Sequence, residues 1–262
     1  MFAFVRLEAN NYFKPKIQMA NIAKIYQDGT YANKNPKFGD DSANHKITNA
    51  IKACREFALP HRTIAEIGCG GGAIILGVAN ELKAESSVGY EPMPEAYAIA
   101  KSRETQKVLF TNETINSESA GNFDLVLCFD VFEHIEDYYT FLRDLRRMGE
   151  NYLFHIPLDM NAQMVARGLP LRRVREEVGH LHYFYKDSAL AALSECGYEI
   201  SGSFYTFGAE GSYKGGLLYK LMKYPRKILF TFCPDFAVRL LGGYSLMVWA
   251  KAGANKARAC GA

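Results

Sequence analysis

A glycine-rich segment that follows an acid has the residue types of a ligand-binding loop. It runs Glu66-x-Gly68-x-Gly70-x-Gly72 and includes Cys69 after the first glycine. Glycines permit a tight turn, and they let the backbone approach a ligand that is held at the N-terminus of a helix. The segment therefore predicts a nucleotide-like ligand. Its spacing alone does not identify that ligand, because it also satisfies the dinucleotide-binding pattern.

Two carboxylates distinguish between the cofactors that such a loop could hold. Glu91 ends a predicted strand 23 positions after Gly68, where a carboxylate can accept hydrogen bonds from both ribose hydroxyls. That role suits NAD and S-adenosylmethionine equally. Glu66 lies two residues before the first glycine, where its charge would repel a pyrophosphate and favour an ammonium or sulfonium group. The two acids together favour a methionine-bearing cofactor over NAD.

Three segments contain histidines that could act on an acceptor. His134 follows the predicted fourth strand, at the sheet edge where ligands bind in doubly wound folds, and it is either a general base or a support for the next helix. His180 and His182 would share one face of an extended segment and could line an acceptor pocket. No third ligand has a spacing that predicts a metal site. His155, inside the fifth strand, is interpreted as packed. The candidate catalytic residues are therefore His134 and His180.

The elements that must position these residues alternate between strands and helices. Short apolar runs alternate with helical periodicity, which is typical of βαβ units and a parallel sheet. Strands are predicted over residues 63–67, 87–91, 107–111, 123–129, 152–157, 198–204 and 244–250. Helices are predicted over residues 41–57, 70–82, from Pro94, over about residues 138–148, and over 187–196. Asp41 or Ser42 is expected to cap the first helix, and Gly149 to end the helix before the fifth strand.

The fold expected is a Rossmann-like, doubly wound α/β domain. It has a mostly parallel seven-stranded sheet with an antiparallel last strand, an N-terminal lid helix and a helical insertion before the last strand. Residues 1–40 are expected to form an extension and a lid, 41–251 the domain, and 252–262 a tail. Residues 31–42 could equally be an ordinary surface loop.

The insertion at residues 213–241 carries leucines in helical register, surrounded by lysines and arginines. It is expected to pack on the domain or on a second subunit of a homodimer. The alternative is a basic amphipathic face for a membrane surface or for a phosphate-bearing acceptor.

Composition and charge exclude several classes of protein. The 262 residues are 48% hydrophobic and carry a net charge of +3, with acids and bases mixed along the chain, so no nucleic-acid partner is expected. The six cysteines form no C-x-x-C pair and no dense disulfide pattern. There is neither a signal-peptide pattern nor an apolar run long enough to span a membrane. We therefore expect a cytoplasmic protein.

The order of these motifs resembles that of the class I S-adenosylmethionine-dependent methyltransferases. The resemblance rests on residues 64–72, 89–92 and 123–135, and it covers about residues 40–200. It implies that the glycine loop holds the methionyl part, Glu91 the ribose, Met93 and Asn112 the adenine, and residues 130–133 the wall beside the sulfonium. Residues 111–114 lack the aspartate that many members place near the adenine. The cofactor-binding residues expected are Glu66, Gly68, Cys69, Gly70, Gly72, Glu91, Pro92, Met93, Asn112, Asp130 and Val131.

The function expected is methyl transfer from S-adenosylmethionine to a small-molecule acceptor. Such a transfer is an in-line displacement, so the protein must align the nucleophile and, for a hydroxyl, remove a proton. A hydroxyl of a sugar or natural-product-like compound is slightly favoured over an amine or a carbon. The alternatives are an NAD-dependent oxidoreductase and a non-catalytic cofactor-binding protein, since a fold does not determine a function.

Overall fold

The computed structural model describes Phe38 and residues 40–207 and 217–253, and for residues 217–223 it describes the backbone alone. The predicted extension and tail lie almost wholly outside the described residues, as do residues 213–216 of the predicted insertion. The predicted domain boundaries therefore stay predictions.

Seven strands form one mixed sheet. They are β1 Thr63–Ile67, β2 Ser86–Tyr90, β3 Val108–Thr111, β4 Phe123–Phe129, β5 Gly149–Pro157, β6 Tyr198–Phe207 and β7 Tyr244–Ala252. Their order across the sheet is β3-β2-β1-β4-β5-β7-β6. Strands β1 to β5 pair in parallel, and β7 runs antiparallel to both β5 and β6. The predicted Rossmann-like fold with an antiparallel last strand is confirmed.

Helices connect the strands and cover both faces of the sheet. They are α1 Asp40–Glu56, α2 Ala73–Leu82, α3 Pro94–Ser102, α4 Tyr138–Leu145, α5 Ala162–Arg167, α6 Leu169–Arg173, α7 Lys186–Glu195, α8 Leu217–Phe232 and α9 Pro234–Leu241. A 3-10 helix, Phe132–His134, follows β4, and a π-helical turn, Val174–Val178, follows α6. The helical insertion predicted before the last strand is confirmed as α8 and α9.

The core lies on both sides of the sheet. Strand β4 is apolar from Leu125 to Phe129, and its residues 125–128 are completely buried because helices cover both faces. Ile75 and Val78 of α2 pack on one face, and Leu142 and Leu145 of α4 pack on the other. Burying one such side chain contributes about 1.5–3 kcal/mol to stability. The sheet is therefore held rigidly, and its loops can present a site.

Two details of the predicted helix ends are wrong. Helix α1 begins at Asp40, so Asp41 and Ser42 lie in its first turn and neither is the capping residue. Gly149 does not end a helix, because α4 stops at Leu145 and Gly149 is the first residue of β5. A Cβ at Gly149 would lie 2.4 Å from the carbonyl oxygen of Phe123. The glycine is required by the close approach of two strands and not by a left-handed helix end.

The insertion leaves large apolar side chains in solvent. Tyr224, Ile228 and Phe232, spaced four residues apart on α8, are exposed by 70%, 62% and 78%. Phe236 on α9 is exposed by 56%. None of the helices in the described ranges has the length and hydrophobicity needed to span a bilayer.

The sheet order reverses between β1 and β4. Strands β2 and β3 lie on one side of β1, whereas β4 and β5 lie on the other. In open α/β sheets, ligands bind at the carboxyl ends of the strands at such a reversal. The loops after β1, β2 and β4 meet there, and they carry most of the predicted site residues.

Candidate active site

The loop after β1 holds the predicted glycines in conformations that other residues rarely adopt. Gly68, Gly70 and Gly72 have φ values of +70°, +54° and +81°. The N–H of Gly68 donates to the carbonyl of Tyr90 at 2.8 Å, which ties the loop to the end of β2. A Cβ at Gly72 would lie 2.6 Å from the Phe110 ring. The loop is tight, and its backbone is available to a ligand at the sheet reversal.

The start of the described chain lies against this loop. The carbonyl oxygen of Phe38 would be 2.5 Å from a Cβ at Gly70. Arg103 joins the two segments, because its guanidinium donates to the Asp40 carboxylate at 2.8 Å and to the carbonyl of Gly71 at 2.7 Å. These contacts support the prediction that the segment before α1 covers the cofactor site. The lid itself stays a prediction.

Glu91 connects the glycine loop to the loop after β2. Its side chain accepts hydrogen bonds from the N–H groups of Gly70 and Met93, both at 2.8 Å. The Asn112 side chain donates to the carbonyl of Glu91 at 2.7 Å, which places Asn112 beside the same loop. Pro92 is exposed there. The residues predicted for the ribose and the adenine therefore lie together at the ends of β2 and β3.

Glu66 faces the first turn of α2. Its carboxylate is buried and accepts a hydrogen bond from the N–H of Ile75 at 2.9 Å. A helix that binds a pyrophosphate uses the N–H groups of its first turn. Because Glu66 occupies one of them, the hydrogen bond to Ile75 itself disfavours a dinucleotide, in either protonation state of Glu66. The sequence interpretation considered charge alone.

Cys69 contributes only its backbone to the loop. Its side chain is buried, and a Cβ at Gly89 would lie 2.8 Å from its sulfur, so the thiol faces the sheet. Burial raises the pKa of the Cys69 thiol. The side chain is therefore an uncharged packing group.

Asp130 follows β4 in a strained conformation, with φ at +55°. One carboxylate oxygen lies 2.6 Å from Lys46 Nζ on α1, and the other lies 2.6 Å from His155 Nδ1 on β5. The second ring nitrogen of His155 lies 3.0 Å from the Thr206 hydroxyl. Val131, the next residue, lies against the glycine loop, with Cγ2 at 2.7 Å from a Cβ at Gly68. Val131 thus flanks the loop with Asp130 directly before it, and their role as the wall of the site stays a prediction.

Glu133, His134 and His180 form a cluster next to this wall. The rings of His134 and His180 meet edge to face with centroids 4.7 Å apart. His134 Nε2 lies 3.9 Å from a Glu133 carboxylate oxygen, and His180 Nδ1 lies 2.7 Å from Asp159 Oδ2. Glu133 is completely buried, and within the described chain neither of its carboxylate oxygens has a hydrogen-bond partner. Both predicted catalytic histidines therefore lie in one polar cluster.

His182 does not join the cluster. Its Nε2 lies 3.0 Å from the carbonyl oxygen of Ile135 and 3.2 Å from that of Glu136. The chain turns at Gly179 because this residue has a left-handed backbone conformation, with φ at +88°. Residues 180–185 therefore form no strand. The expectation that both histidines line one pocket from an extended segment is therefore wrong, and only His180 faces His134.

Residues 41–201 match a family described as a methyltransferase domain, a match that spans more than half of the chain. The chain belongs to the class I S-adenosylmethionine-dependent methyltransferases. This methyltransferase is similar to two curated relatives, both named ubiquinone biosynthesis O-methyltransferase. It is 28% identical to the one from Pseudomonas paraeruginosa over 41% of this chain and 50% of the relative. It is 26% identical to the one from Bordetella avium over 63% of this chain and 77% of the relative.

The chain spans about half the length of the first curated relatives that it matches. Among solved structures, it resembles the N-methyltransferase NodS from Bradyrhizobium japonicum in complex with S-adenosyl-l-homocysteine. The TM-score is 0.56 at 15% identity, over 88% of this chain and 98% of NodS. This likeness shows the fold. None of these matches supports the oxidoreductase alternative.

The residues of this methyltransferase fit its cofactor. We call the glycine loop together with Glu66, Glu91 and Asp130 the cradle. It offers carboxylates and backbone groups at the sheet reversal. Acids of this kind complement an ammonium, a ribose and a sulfonium, and they oppose a pyrophosphate. The assignment of each residue to one part of the cofactor stays a prediction.

Burial and neighbouring charges set the protonation of the acids in this methyltransferase. Burial raises the pKa of Glu66 to about 8, although Lys46 and the hydrogen bond from Ile75 oppose the shift. Burial raises the pKa of Glu91 as well, against its two backbone hydrogen bonds. Burial would also raise the pKa of Asp130, but His155 and Lys46 hold it well below its usual range. Asp130 is therefore the firmly ionised acid of the cradle.

The cluster histidines are shifted in opposite directions. Burial and, next, the charge of the adjacent His180 lower the pKa of His134 to about 3. Burial would lower the pKa of His180, but the hydrogen bond that its ring donates to Asp159 and the charge of Glu133 raise it overall. Burial, with the charge of Asp130, raises the pKa of Glu133 to about 8. Groups whose pKa values are moved apart in this way are characteristic of acid–base sites.

Two residues of the site, Lys46 and Asp159, were not predicted from the sequence, and the role of a third, Glu133, was predicted only in part. Lys46 lies on the buried face of α1, between Ala43 and Ala50 in helical register, and a lysine on such a face was an available signal. Glu133 was recognised only as part of the wall. Asp159 lies in the loop after β5, and no spacing connects it with His180, so only the structure could reveal that pair.

Proposed function

We propose that this methyltransferase transfers the methyl group of S-adenosylmethionine to a small-molecule acceptor, with a hydroxyl favoured as the methylated group. The observation that carries the proposal is the adjacency of two sites along one short segment. Val131, which directly follows Asp130, lies against the glycine loop. Glu133 and His134 come two and three residues after Val131 in the sequence and lie next to His180. The first site suits the cofactor, and the second suits removal of a proton from an acceptor.

The chemistry divides between the cofactor and the chain. Bound S-adenosylmethionine would supply the methyl carbon. A lone pair of the acceptor would form the new bond to that carbon, and the electrons of the broken carbon–sulfur bond would stay on the sulfur, which loses its positive charge. The glycine loop, Glu66 and Glu91 would orient the methionyl and ribose parts. Asp130, kept ionised by Lys46 and His155, would place negative charge near the sulfur. A hydroxyl acceptor would lose its proton at the cluster, where Asp159 orients the His180 ring.

The nature of the acceptor is the finer part of the proposal. The curated relatives are named as O-methyltransferases of ubiquinone biosynthesis, which supports a hydroxyl, such as that of a phenol, a sugar or a natural-product-like compound. The N-methyltransferase among the structural neighbours keeps an amine as the second candidate.

Calorimetric titration tests the cofactor first. The purified full chain would be titrated with S-adenosylmethionine, S-adenosylhomocysteine and NAD in parallel. Micromolar binding of the first two and none of NAD is expected, whereas binding of NAD alone would overturn the proposal. Transfer of a labelled methyl group would then be screened over hydroxyl and amine acceptors. Intact cofactor binding with no transfer to any acceptor would favour the non-catalytic alternative.

Three further properties are proposals of the same kind. The cytoplasm is the compartment proposed, and the five cysteines in the described residues are all free thiols, which suits a reducing environment. A small molecule rather than a nucleic acid is the partner proposed, because the charges of the chain are mixed. A homodimer is the assembly proposed, and sedimentation at several protein concentrations tests it.

A further inference from the structure

The carboxylate of Glu133 is an unusual group for a protein interior. The residue is 0% exposed, and both oxygens lack a hydrogen-bond partner among the described residues. A buried carboxylate without hydrogen bonds is costly, and such groups are normally paired or coordinate metals. The nearest cationic candidate, His134 Nε2, lies 3.9 Å away, beyond hydrogen-bond distance. The environment of Glu133 is therefore incomplete without a further positive group.

Two imidazoles lie close to this carboxylate. One ligand atom each from Glu133, His134 and His180 can be chosen so that all three lie within 4.8 Å of one another. Around a zinc ion with ligand bonds of about 2.0–2.2 Å, such atoms stand on the order of 3–3.5 Å apart. Modest side-chain rotations would close that difference. The three residues also come from two separate segments, so the cluster does not arise from one helix face.

The two imidazoles are oriented by contacts outside the cluster. His180 Nδ1 lies 2.7 Å from the Asp159 carboxylate, which holds the proton on Nδ1 and directs the lone pair of Nε2 elsewhere. A hydrogen bond to the backbone of Gly179 involves the His134 ring. Histidine ligands of metals almost always have such a carboxylate or backbone partner on the other nitrogen. His180 therefore has the outer contact of a metal ligand on its Nδ1, and the His134 ring has a backbone partner.

We propose that Glu133, His134 and His180 bind a divalent transition-metal ion. One carboxylate and two imidazoles are the ligands of catalytic zinc and of related iron, cobalt and manganese sites. Magnesium and calcium prefer oxygen ligands, and only one of these three residues offers oxygen. Three protein ligands leave a coordination position open, as in catalytic rather than structural sites.

The position of the ion would deepen the proposed function, on which this step rests. The site begins three residues after Asp130, in the wall beside the cofactor. A hydroxyl bound to a divalent ion loses its proton at lower pH than a free hydroxyl does. The proton would pass to water, and the oxygen would keep the lone pair that takes the methyl carbon. The cluster would thus select acceptors with a metal-binding oxygen over amines.

Metal binding can be measured without turnover. The full chain would be treated with a chelator, dialysed, and titrated with Zn²⁺ by calorimetry, with Co²⁺ absorption spectra as a second readout. We expect about one ion per chain and a Co²⁺ spectrum of nitrogen and oxygen coordination. Failure of the chelated wild-type chain to bind Zn²⁺ or Co²⁺ at about one equivalent would overturn the proposal.

Variants locate the ion. Glu133→Gln and His180→Gln are expected to weaken Zn²⁺ binding by 10-fold or more, and Asp159→Asn by about 10–100-fold through the orientation of His180. His182→Gln is the matched control, because His182 bonds backbone carbonyls outside the cluster. Its affinity should equal that of the wild type. Unchanged affinity in the cluster variants, or an equal loss in the control, would place the ion elsewhere and refute the site.

The chelated wild-type chain separates this proposal from the proposed function. Binding of S-adenosylhomocysteine without binding of Zn²⁺ would refute the metal site and leave the function in place. Binding of Zn²⁺ without binding of either S-adenosyl compound would refute the function and support the metal site. Circular dichroism melts of Glu133→Gln and Asp159→Asn identify any variant that has lost its fold. The Zn²⁺ affinity of the variant that remains folded then tests the metal site.

Discussion

At the scale of single residues, the acids of the cradle differ in the charge that they hold before a ligand arrives. Asp130 is ionised because Lys46 and His155 contact both of its oxygens. Glu66 has a pKa of about 8 because it is buried, so near neutral pH it carries a proton for most of the time. A cationic ligand would favour its ionised form. Cofactor binding should therefore be coupled to the release of a proton from Glu66.

The affinity for S-adenosylmethionine is expected to rise with pH and to level off above about pH 8. At a pH below the pKa of Glu66, its neutral carboxyl group must lose a proton before it can pair with the ligand. At a pH above that pKa, the carboxylate is already ionised and binding releases no proton from it. One coupled proton corresponds to a slope of up to about tenfold per pH unit. Calorimetry in two buffers of different ionisation enthalpy would count the protons. Glu66→Gln is the control, since the ligand's own amine titrates equally in both proteins, and equal slopes would contradict the coupling.

Replacing Glu91 is expected to weaken cofactor binding. Glu91→Ala removes the acceptor of two backbone N–H groups together with the proposed ribose contact, a loss of about 2 kcal/mol or more. Titration calorimetry with S-adenosylhomocysteine would measure the change. Glu95→Ala, at an exposed position on α3, should leave the dissociation constant unchanged. A wild-type dissociation constant for Glu91→Ala would remove Glu91 from the site.

Replacing either cluster histidine is expected to slow the transfer and to spare the cofactor. His134→Ala and His180→Ala should each lower turnover by about 10²–10⁴-fold, the range for a lost proton-transfer group, with cofactor affinity intact. Rates with an acceptor from the screen, together with calorimetry, separate the two effects. His182→Ala should retain wild-type turnover. Full activity in both cluster variants would mean that the acceptor loses its proton elsewhere or needs no base.

The glycine loop and Glu91 could be predicted because their chemistry lies in local spacing after a strand. The Glu133 cluster could be predicted only in part, because His180 reaches it from 46 positions away and is held by Asp159 from a third segment. The direction in which a loop side chain points could not be predicted from the sequence either. Cys69 lies between two glycines of the cofactor loop, yet its thiol faces the sheet.

At the scale of elements, the seven strands could be predicted because most of them are short apolar runs between turns. The ends of elements were harder, since Gly149 serves a close approach of strands that leaves no local trace. No element is predicted between residues 157 and 187, whereas the structure has two short helices and a π-helical turn within residues 162–178. Most of these residues are exposed, so they show no apolar periodicity from which a helix could be predicted.

Arg146, just after α4, holds two distant chain segments together. It donates to the carbonyl of Cys196 at 3.0 Å and to that of Gly253 at 2.8 Å. Arg146→Met is expected to lower the free energy of unfolding by about 2–3 kcal/mol, because two charge-assisted hydrogen bonds are lost. Urea unfolding would measure it. Arg143→Met, at an exposed position of α4, should change stability by less than about 0.5 kcal/mol; equal losses would show that Arg146 has no special role.

At the scale of the whole molecule, the site depends on an element outside the sheet. Helix α1 packs on α2, with Ile47 against Gly77, and it delivers Lys46 to the loop after β4. The N-terminal part of the domain is therefore joined to the loop after β4 by a half-buried ion pair. The fold class could be predicted without this contact, because alternating strands and helices determine the sheet independently of α1.

Removing the charge of Lys46 is expected to destabilise the whole domain. Lys46→Met leaves the half-buried Asp130 carboxylate with one partner fewer, and losing one contact of a charged group costs about 1.5–3 kcal/mol. Urea unfolding would show the loss. Lys52→Met on the exposed face of α1 is the matched control, with little change expected. If both substitutions shift the unfolding midpoint equally, the Lys46 pair does not anchor α1.

The position of the last strand has a consequence for how the protein is made. Strand β7 lies between β5 and β6, although it is synthesised after both. Until residues 244–252 have left the ribosome, β5 presents a bare edge and β6 has no partner in the sheet. During synthesis the nascent chain therefore has an unpaired, aggregation-prone edge at β5. Before residues 244–252 emerge, only the part of the sheet formed by β1 to β5 can fold on the ribosome.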